Sequence, residues 1–250
     1  MASTLNILSK LKELNDSNLI SIYIPSLKKE VEFKQLSVKQ QKDLMKSGLD
    51  GTMSGLTLSN TITDIIIDNA IDTKNFLITD RMPIILALRK QSFGSIAVIK
   101  SEDSSKEYNL DTILSKELEY TSPYQTTISS KDNLIEIELE VADLNDDRKV
   151  NEYQLSLLKK KKDDIEISDA VGSMFVFEVC KFVSKLTING EESDIKSFSV
   201  KDRGAIVENI AASVNNQILT YLQSFRQIEN DYLTIDGEIL PIDARLFSKE

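Results

Sequence analysis

The segment from Asp143 to Gln154 begins with the Asp-x-Asn-x-Asp spacing of a calcium-binding loop, in the sequence DLNDDRKVNEYQ. Such a loop also needs a glycine at its sixth position for the sharp turn and, at its twelfth, a glutamate that binds the ion through both carboxylate oxygens. Arg148 and Gln154 stand at those two positions. We therefore predict that this segment is the acid-rich N-terminus of a helix and holds no metal ion.

Histidine is absent from all 250 residues, which removes the commonest proton carrier near neutral pH and the commonest nitrogen ligand of metals. Ser-His-Asp, Cys-His and histidine-metal chemistry are therefore excluded. The single cysteine, Cys180, lies in the apolar run MFVFEVCKFV, and we predict a buried thiol that behaves as a small hydrophobic side chain. A chain with one cysteine forms no internal disulfide, which fits folding in a reducing cytoplasm.

The remaining patterns that could bind phosphate or transfer protons have simpler structural explanations. Gly48, Gly51 and Gly55 lack the Lys-Ser or Lys-Thr ending of a phosphate loop, so we interpret them as a connector between two helices. Glu136 and Glu138 lie two residues apart, as on the solvent face of a strand. We predict no cofactor, no catalytic residue and no small-molecule substrate.

The composition narrows the class of partner. The formal net charge is -10, so a nucleic acid would meet a repulsive field. Hydrophobic residues make up 41% of the chain, enough to fill a core. Since no stretch approaches the about 20 apolar residues that cross a bilayer, we also predict no membrane span. Other proteins remain as the expected partners.

The N-terminal part of the sequence reads as a helix, a hairpin and further helices. The runs LISIYI and EVEF alternate around PSLKK, as in two strands joined by a turn. Ser37 and Gln40 have the spacing of a capping box before a helix that we expect to end at Gly48. A later helix is predicted to begin with Thr79 as its cap and to end at Gly94.

The C-terminal part reads as mainly helical. Ser168 is predicted to cap a buried helix over SDAVGSMFVFEVCKFVSKL, with a short strand KLTING after it. Ser199 is predicted to cap a long helix that breaks near Ala211, and Asp236-Gly237 to form the turn of a last hairpin. The predicted class is α+β. We expect one compact unit over residues 1–250, which could subdivide into an α+β part at 1–145 and a mostly helical part at 146–250.

Two stretches of the sequence together resemble the T4-type bacteriophage baseplate hub assembly proteins. The first is IPSLKKEVEFKQLSVKQQKDLMKS, in which a Pro-Ser hairpin leads through a strand to a lysine-bearing helix. The second is FLITDRMPIILALRKQSFG, in which a Thr-Asp-Arg start leads through an aliphatic run to Ser-Phe-Gly. The family often carries paired cysteines before an aspartate-aromatic ending; NDYLTIDGEILPIDARLF keeps that ending without any cysteine, so no metal role is carried over.

The resemblance implies a phage tail protein without catalytic activity. Such a protein assembles the central hub of the baseplate, or forms part of it, through contacts with other hub and tail proteins. It would work in the host cytoplasm during assembly, and in the baseplate of the virion tail if it is retained there.

The residues that we predict to contact a partner lie at the hairpin tip and on the second stretch. They are Pro25, Ser26, Leu27, Lys28, Arg81, Arg89, Phe93 and Gly94. An internal role is the alternative for two of them. Arg89 could pair with a carboxylate of its own chain, and Phe93 could close its helix against the core.

Two other functions stay open from the sequence alone. A chaperone of the tail tube or of the tape-measure protein would also be acidic and helical, but it would bind a long helical partner. An enzyme that uses only carboxylates and lysines would need a closed pocket with converging acids.

Overall fold

The computed structural model describes residues 4–49, 53–100, 104–120, 122–132, 134–160 and 174–248. The helices are α1 (Thr4–Ser17), α2 (Val38–Ser47), α3 (Ser54–Asn69), α4 (Arg81–Phe93), α5 (Leu110–Leu114), α6 (Leu144–Lys160), α7 (174–180), α8 (Val200–Glu208) and α9 (Ala212–Leu233). The strands are β1 (Leu19–Ile24), β2 (Lys29–Lys34), β3 (Ile96–Lys100), β4 (Ser105–Asn109), β5 (Gln125–Ser129), β6 (Ile135–Glu140), β7 (Val183–Ile188), β8 (Glu191–Asp194), β9 (Thr234–Ile235) and β10 (Glu238–Ile239). Helices and small antiparallel sheets confirm the α+β class.

The chain divides into two compact units. Unit 1 comprises residues 1–76, 80–117 and 232–250, and unit 2 comprises residues 77–79 and 118–231. The expectation of a single unit over 1–250, or of a subdivision at residue 145, stays a prediction.

Unit 1 contains the predicted N-terminal hairpin. Strands β1 and β2 pair in register from Leu19 with Lys34 to Ile24 with Lys29. Alternate side chains on the inner face are buried in the core: Ile22, Ile24, Val31 and Phe33. The alternation of apolar and polar residues therefore forms a half-buried hairpin, as the sequence indicated.

The capping box of α2 is confirmed. Ser37 Oγ accepts from the main-chain N–H of Gln40 at 3.2 Å, while the Gln40 side chain accepts from the main-chain N–H of Ser37 at 2.9 Å. The helix ends at Gly48, as predicted. A Cβ built on Gly48 would lie 2.4 Å from Cβ of Ala244, so this glycine permits the close approach of the short 3-10 helix Ala244–Phe247.

The predicted cap of α4 is wrong. Thr79 lies inside a 3-10 turn, Ile78–Asp80, and Asp80 occupies the position before the helix. The Asp80 side chain makes no cap hydrogen bond, because its carboxylate accepts from Ser26 instead. The helix nevertheless ends at Gly94, whose φ of 90° confirms the predicted stop.

Unit 2 is built on an antiparallel sheet with strand order β5-β6-β7-β8. Side chains of the sheet and of α9 share one core: Ile137, Leu139, Val183, Val214, Ile218, Tyr221, Leu222 and Phe225. Ser199 caps α8 by accepting from the main-chain N–H of Asp202. The predicted break near Ala211 is confirmed as the gap between α8 and α9.

The long helix predicted over SDAVGSMFVFEVCKFVSKL is wrong in its second half. Helix α7 covers only 174–180, and β7 begins at Val183 because its main chain pairs with β6. The predicted strand is present but starts earlier than expected. The predicted cap Ser168 lies outside the described residues. The hairpin from β7 to β8 was missed, although Asn189 and Gly190 adopt the positive φ angles of a tight turn.

Candidate functional site

The hairpin tip, defined as Pro25 to Lys28, is anchored to the start of α4. The main-chain N–H of Ser26 donates to Asp80 Oδ1 at 3.1 Å, and its hydroxyl donates to Oδ2 at 2.5 Å. Asp80 is fully buried, while Lys28 is exposed and adopts a φ of 50°. The carboxylate therefore fixes the turn from inside and leaves the Lys28 ammonium to solvent.

Arg89 is a buried internal clamp. Its Nε donates to the Leu246 carbonyl at 3.1 Å and its Nη2 to the Ile96 carbonyl at 3.0 Å, while its Nη1 donates to the Gly94 carbonyl. The guanidinium also lies 5.7 Å from the centre of the Phe93 ring. Burial lowers the pKa of Arg89. The internal partners are backbone carbonyls and an aromatic ring, where the sequence suggested a carboxylate.

The structure separates the eight predicted contact residues into two groups. Arg81 lies at the start of α4 with Ser26 and the hairpin tip, and its Nη2 donates to Thr63 Oγ1 at 3.4 Å. Phe93 and Gly94 lie at the other end of that helix, which is about 18 Å away at the usual rise per residue. The second group is centred on the Arg89 clamp, with Gly94 exposed and Phe93 half-buried, whereas Lys28 is the exposed residue of the hairpin tip.

A buried network of ion pairs, which the sequence did not indicate, lies in unit 2. Asp146 binds Arg203 through both oxygens, each at 2.8 Å. Asp147 pairs with Lys181 at 2.8 Å, and Lys181 also pairs with Glu178 at 2.6 Å. No local pattern reveals these partners because they come from other helices and from the turn before β7.

The predicted acid-rich helix N-terminus is confirmed in the Asp143 to Gln154 segment, because Asp146 and Asp147 lie in the first turn of α6. Asp143 does cap α6, since its Oδ1 accepts from the main-chain N–H groups of Asn145 and Asp146. The next two acids are engaged in ion pairs and not in capping. Within the described ranges, no group of three or more acidic or cysteine side chains could hold a metal ion.

The thiol of Cys180 is fully buried in the core of unit 2, as predicted. Burial raises its pKa to about 12. A thiol with so high a pKa is protonated at neutral pH, and the thiolate is the reactive form. Cys180 is therefore a packing residue.

An open apolar groove of about 360 Å³ lies between the sheet and the helices of unit 2. Ile135, Leu186 and Ile188 line it from β6 and β7, and Ile206, Ile210 and Val214 line it from α8, α9 and their junction. Asn209 is the polar side chain in its wall. A groove of this composition suits apolar contact and offers no pair of converging acids.

None of the helices in the described ranges has the length and apolar character required to cross a bilayer.

A family model described as T4 bacteriophage base plate protein matches residues 17–233. The matched range contains both stretches that carry the resemblance. No curated protein and no solved structure matches the chain.

Proposed function

This chain belongs to the T4 bacteriophage base plate protein family, and from that premise we propose that it assembles the central hub of the baseplate, or forms part of it, through protein–protein contacts. Membership identifies a structural protein of the phage baseplate whose partners are other phage proteins. The proposal adds two points to family membership: the protein acts at the hub of the baseplate, and it is assembled there in the host cytoplasm.

The anchored hairpin tip is the observation that supports a contact role most directly. Its turn is already fixed by the buried carboxylate of Asp80. A partner that binds a fixed turn avoids the entropy cost of ordering it. Lys28 at the exposed end then offers a positive charge on a chain whose net charge is -10, which would select for a negatively charged patch on the partner.

The apolar groove of unit 2 supports the same class of function. Its wall is aliphatic apart from Asn209, whereas catalysis by carboxylates or lysines would require such groups to converge on a pocket. An exposed apolar surface bounded by polar residues is typical of a protein contact site.

A phage deletion strain tests the hub function. We expect the deletion to abolish complete baseplates, counted by electron microscopy, and expression of the wild-type chain from a plasmid to restore them. Intact baseplates in the deletion strain would contradict the proposal. The wild-type protein should also recover hub proteins in a pull-down identified by mass spectrometry, and recovery of the tape-measure or tube protein alone would favour the chaperone alternative.

The hairpin tip is tested in the same strain with two charge reversals. Lys28→Glu should reduce the recovered hub proteins, because the tip would then repel an acidic patch. Lys42→Glu is the control, since Lys42 is an exposed lysine on α2, outside the hairpin tip. Equal recovery with both variants would remove the tip from the interface. Mass spectrometry of purified virions then decides between a retained subunit and a transient assembly factor.

A further inference from the structure

The two edges of the four-stranded sheet in unit 2 differ in charge. Strand β8 at one edge has the sequence EESD, and all four of its residues are exposed. Strand β5 at the other edge has the sequence QTTIS and carries no charge. Charged side chains on an edge strand discourage the pairing of another strand. The sheet is therefore protected at β8 and open to strand addition at β5.

The hydrogen-bonding register shows which backbone groups of β5 face outward. The main-chain N–H of Ser130 donates to Ile135, and that of Val141 donates to Tyr124, so Thr126 and Ile128 bond to β6 in the alternation of an antiparallel pair. The residues that alternate with these two turn their main-chain N–H and C=O groups away from β6: Gln125, Thr127 and Ser129. In the described part of the chain, no second strand pairs with this edge.

The side chains of these outward-facing positions lie on an acidic face. Gln125, Thr127 and Ser129 stand opposite Glu140, Glu138 and Glu136 in the register. Glu138 pairs with Lys185 at 3.7 Å. Glu136 and Glu140 are exposed and form no ion pair within the described ranges. A strand added beside β5 would lie about 10 Å from β6, within the combined reach of a lysine and a glutamate side chain.

We propose that β5 is the docking edge for an extended segment of a neighbouring baseplate protein that carries lysine or arginine at alternate positions. The segment runs antiparallel to β5, like the other pairings of this sheet. It pairs with the main chain of Thr127 and its outward-facing neighbours and directs its basic side chains over Glu136 and Glu138. This inference rests on the proposed function for the source of the segment. The extended backbone of the segment is inferred from the open edge, and its basic side chains are inferred from the acidic face. A second copy of this chain fits less well, because pairing β5 with β5 would join two acidic faces.

A synthetic peptide of alternating lysine and threonine, ten residues long, is the probe. Fluorescence anisotropy with the full-length protein at physiological ionic strength should detect binding, whereas the glutamate–threonine peptide should not bind. The peptide should also slow amide hydrogen exchange at Gln125, Thr127 and Ser129. Slower exchange in β8 or in the apolar groove in place of β5 would overturn the proposal, and so would a free protein that already dimerises through β5.

Methylation of peptide amides separates strand pairing from general attraction between charges. A lysine that lies opposite Thr127 must point its own N–H toward β5, since both residues belong to a hydrogen-bonded pair. Methylation of the main-chain nitrogen of each lysine should therefore weaken binding by about tenfold or more. N-methylation of the threonines should leave binding almost unchanged, because those amides point away from the sheet. Equal effects of the two methylations would overturn the register and with it the proposal.

Proline substitution tests the protein side of the same edge. Thr127→Pro removes an outward N–H without breaking a bond to β6, and proline is tolerated at such positions. We expect peptide binding to fall by about tenfold. Glu192→Pro is the matched control: the turn at Asn189 and Gly190 makes the N–H of Glu192 point outward on β8. Unchanged binding with Thr127→Pro would contradict the proposal, and the methylated peptides decide the matter if that variant does not fold.

Phage assembly separates this inference from the proposed function. Thr127→Pro expressed in the deletion strain should reduce the yield of complete baseplates, with Glu192→Pro near the wild-type yield. A normal yield with Thr127→Pro would disprove the docking edge and leave the hub function standing. Complete baseplates in the absence of the protein would disprove the hub function, whereas binding of the peptide to β5 is measured independently of that result.

Discussion

Arg203 and Asp146 form a two-point ion pair in the interior of unit 2, although 57 residues separate them in the sequence. Both nitrogen–oxygen distances are 2.8 Å, and the relative exposures of the two residues are 2% and 7%. Arg203 Nη2 also donates to the Cys180 carbonyl at 2.8 Å. The guanidinium thus joins α6, α8 and the end of α7 at one point.

Loss of this guanidinium should strongly destabilise the fold. Arg203→Met leaves the Asp146 carboxylate buried without its main partner, and breaking such a pair costs about 3 kcal/mol or more in the free energy of unfolding. Arg226→Met is the control, because Arg226 is exposed and lies 3.5 Å from Glu178; it should cost less than about 1 kcal/mol. Urea unfolding measures both. Similar costs for the two variants would contradict the interior role of Arg203.

Arg89→Lys should destabilise unit 1, even though the positive charge is kept. One ammonium cannot reach the Leu246, Gly94 and Ile96 carbonyls in the fixed geometry of the guanidinium. We expect a loss of about 2 kcal/mol in the free energy of unfolding. Lys90→Met, which removes only an exposed pair with Asp111, should change it by less than about 0.5 kcal/mol. If Arg89→Lys were as stable as the wild type, the three hydrogen bonds of the Arg89 guanidinium would not contribute to the stability of unit 1.

Gly48→Ala should destabilise unit 1 through a steric clash, although alanine is the better helix former. The new Cβ would lie 2.4 Å from Cβ of Ala244 and 2.9 Å from its main-chain nitrogen. Overpacking of this kind costs about 1–3 kcal/mol. The double variant Gly48→Ala with Ala244→Gly removes the closest contact and should recover part of the stability. Thermal unfolding of both variants is the measurement, and an absence of any recovery would locate the clash elsewhere.

The Cys180 thiol should make stability fall at alkaline pH. Its pKa is about 12 in the folded chain and about 8.5 when unfolded. Above about pH 9 the unfolded chain therefore binds fewer protons than the folded chain, so the free energy of unfolding decreases as pH rises toward 12. Tyr232, whose pKa burial raises to about 12, adds to the loss.

A cysteine-free variant isolates that contribution. Urea unfolding at pH 7.5 and pH 10 should show a larger loss for the wild type than for Cys180→Ala, by about 2 kcal/mol. The comparison cancels the titration of Tyr232 and of the lysines, since both chains contain them. Parallel losses in the two proteins would contradict the burial of the thiol.

Features set by neighbours in the chain could be predicted from the sequence. The hairpin of β1 and β2, the Ser37 capping box and the turn at Asp236 and Gly237 all depend on residues a few positions apart. The hairpin of β7 and β8, which was not predicted, also depends on residues that are close in the sequence. Asn189 and Gly190 are a strong turn signal, but the short acidic strand after them lacks the alternation that marks most strands.

Features set by distant contacts could not be predicted. No glycine or proline separates Val183 from the apolar helical run before it, and its place in a strand depends on pairing with β6. Thr79 is not the cap of α4, because Asp80 occupies that position and its carboxylate accepts from Ser26, 54 residues away. For the candidate site, the hairpin tip was located correctly as a turn, whereas the carbonyl acceptors of Arg89 arise from the tertiary fold alone.

The discontinuous make-up of unit 1 has a consequence during translation. The carbonyl that Arg89 Nε binds belongs to Leu246, 157 residues downstream. A ribosome needs on the order of ten seconds to cover that distance. Throughout this interval the nascent unit 1 lacks residues 232–248, so the surfaces of α2 and β3 that contact the 3-10 helix Ala244–Phe247 stay uncovered until that helix leaves the ribosome.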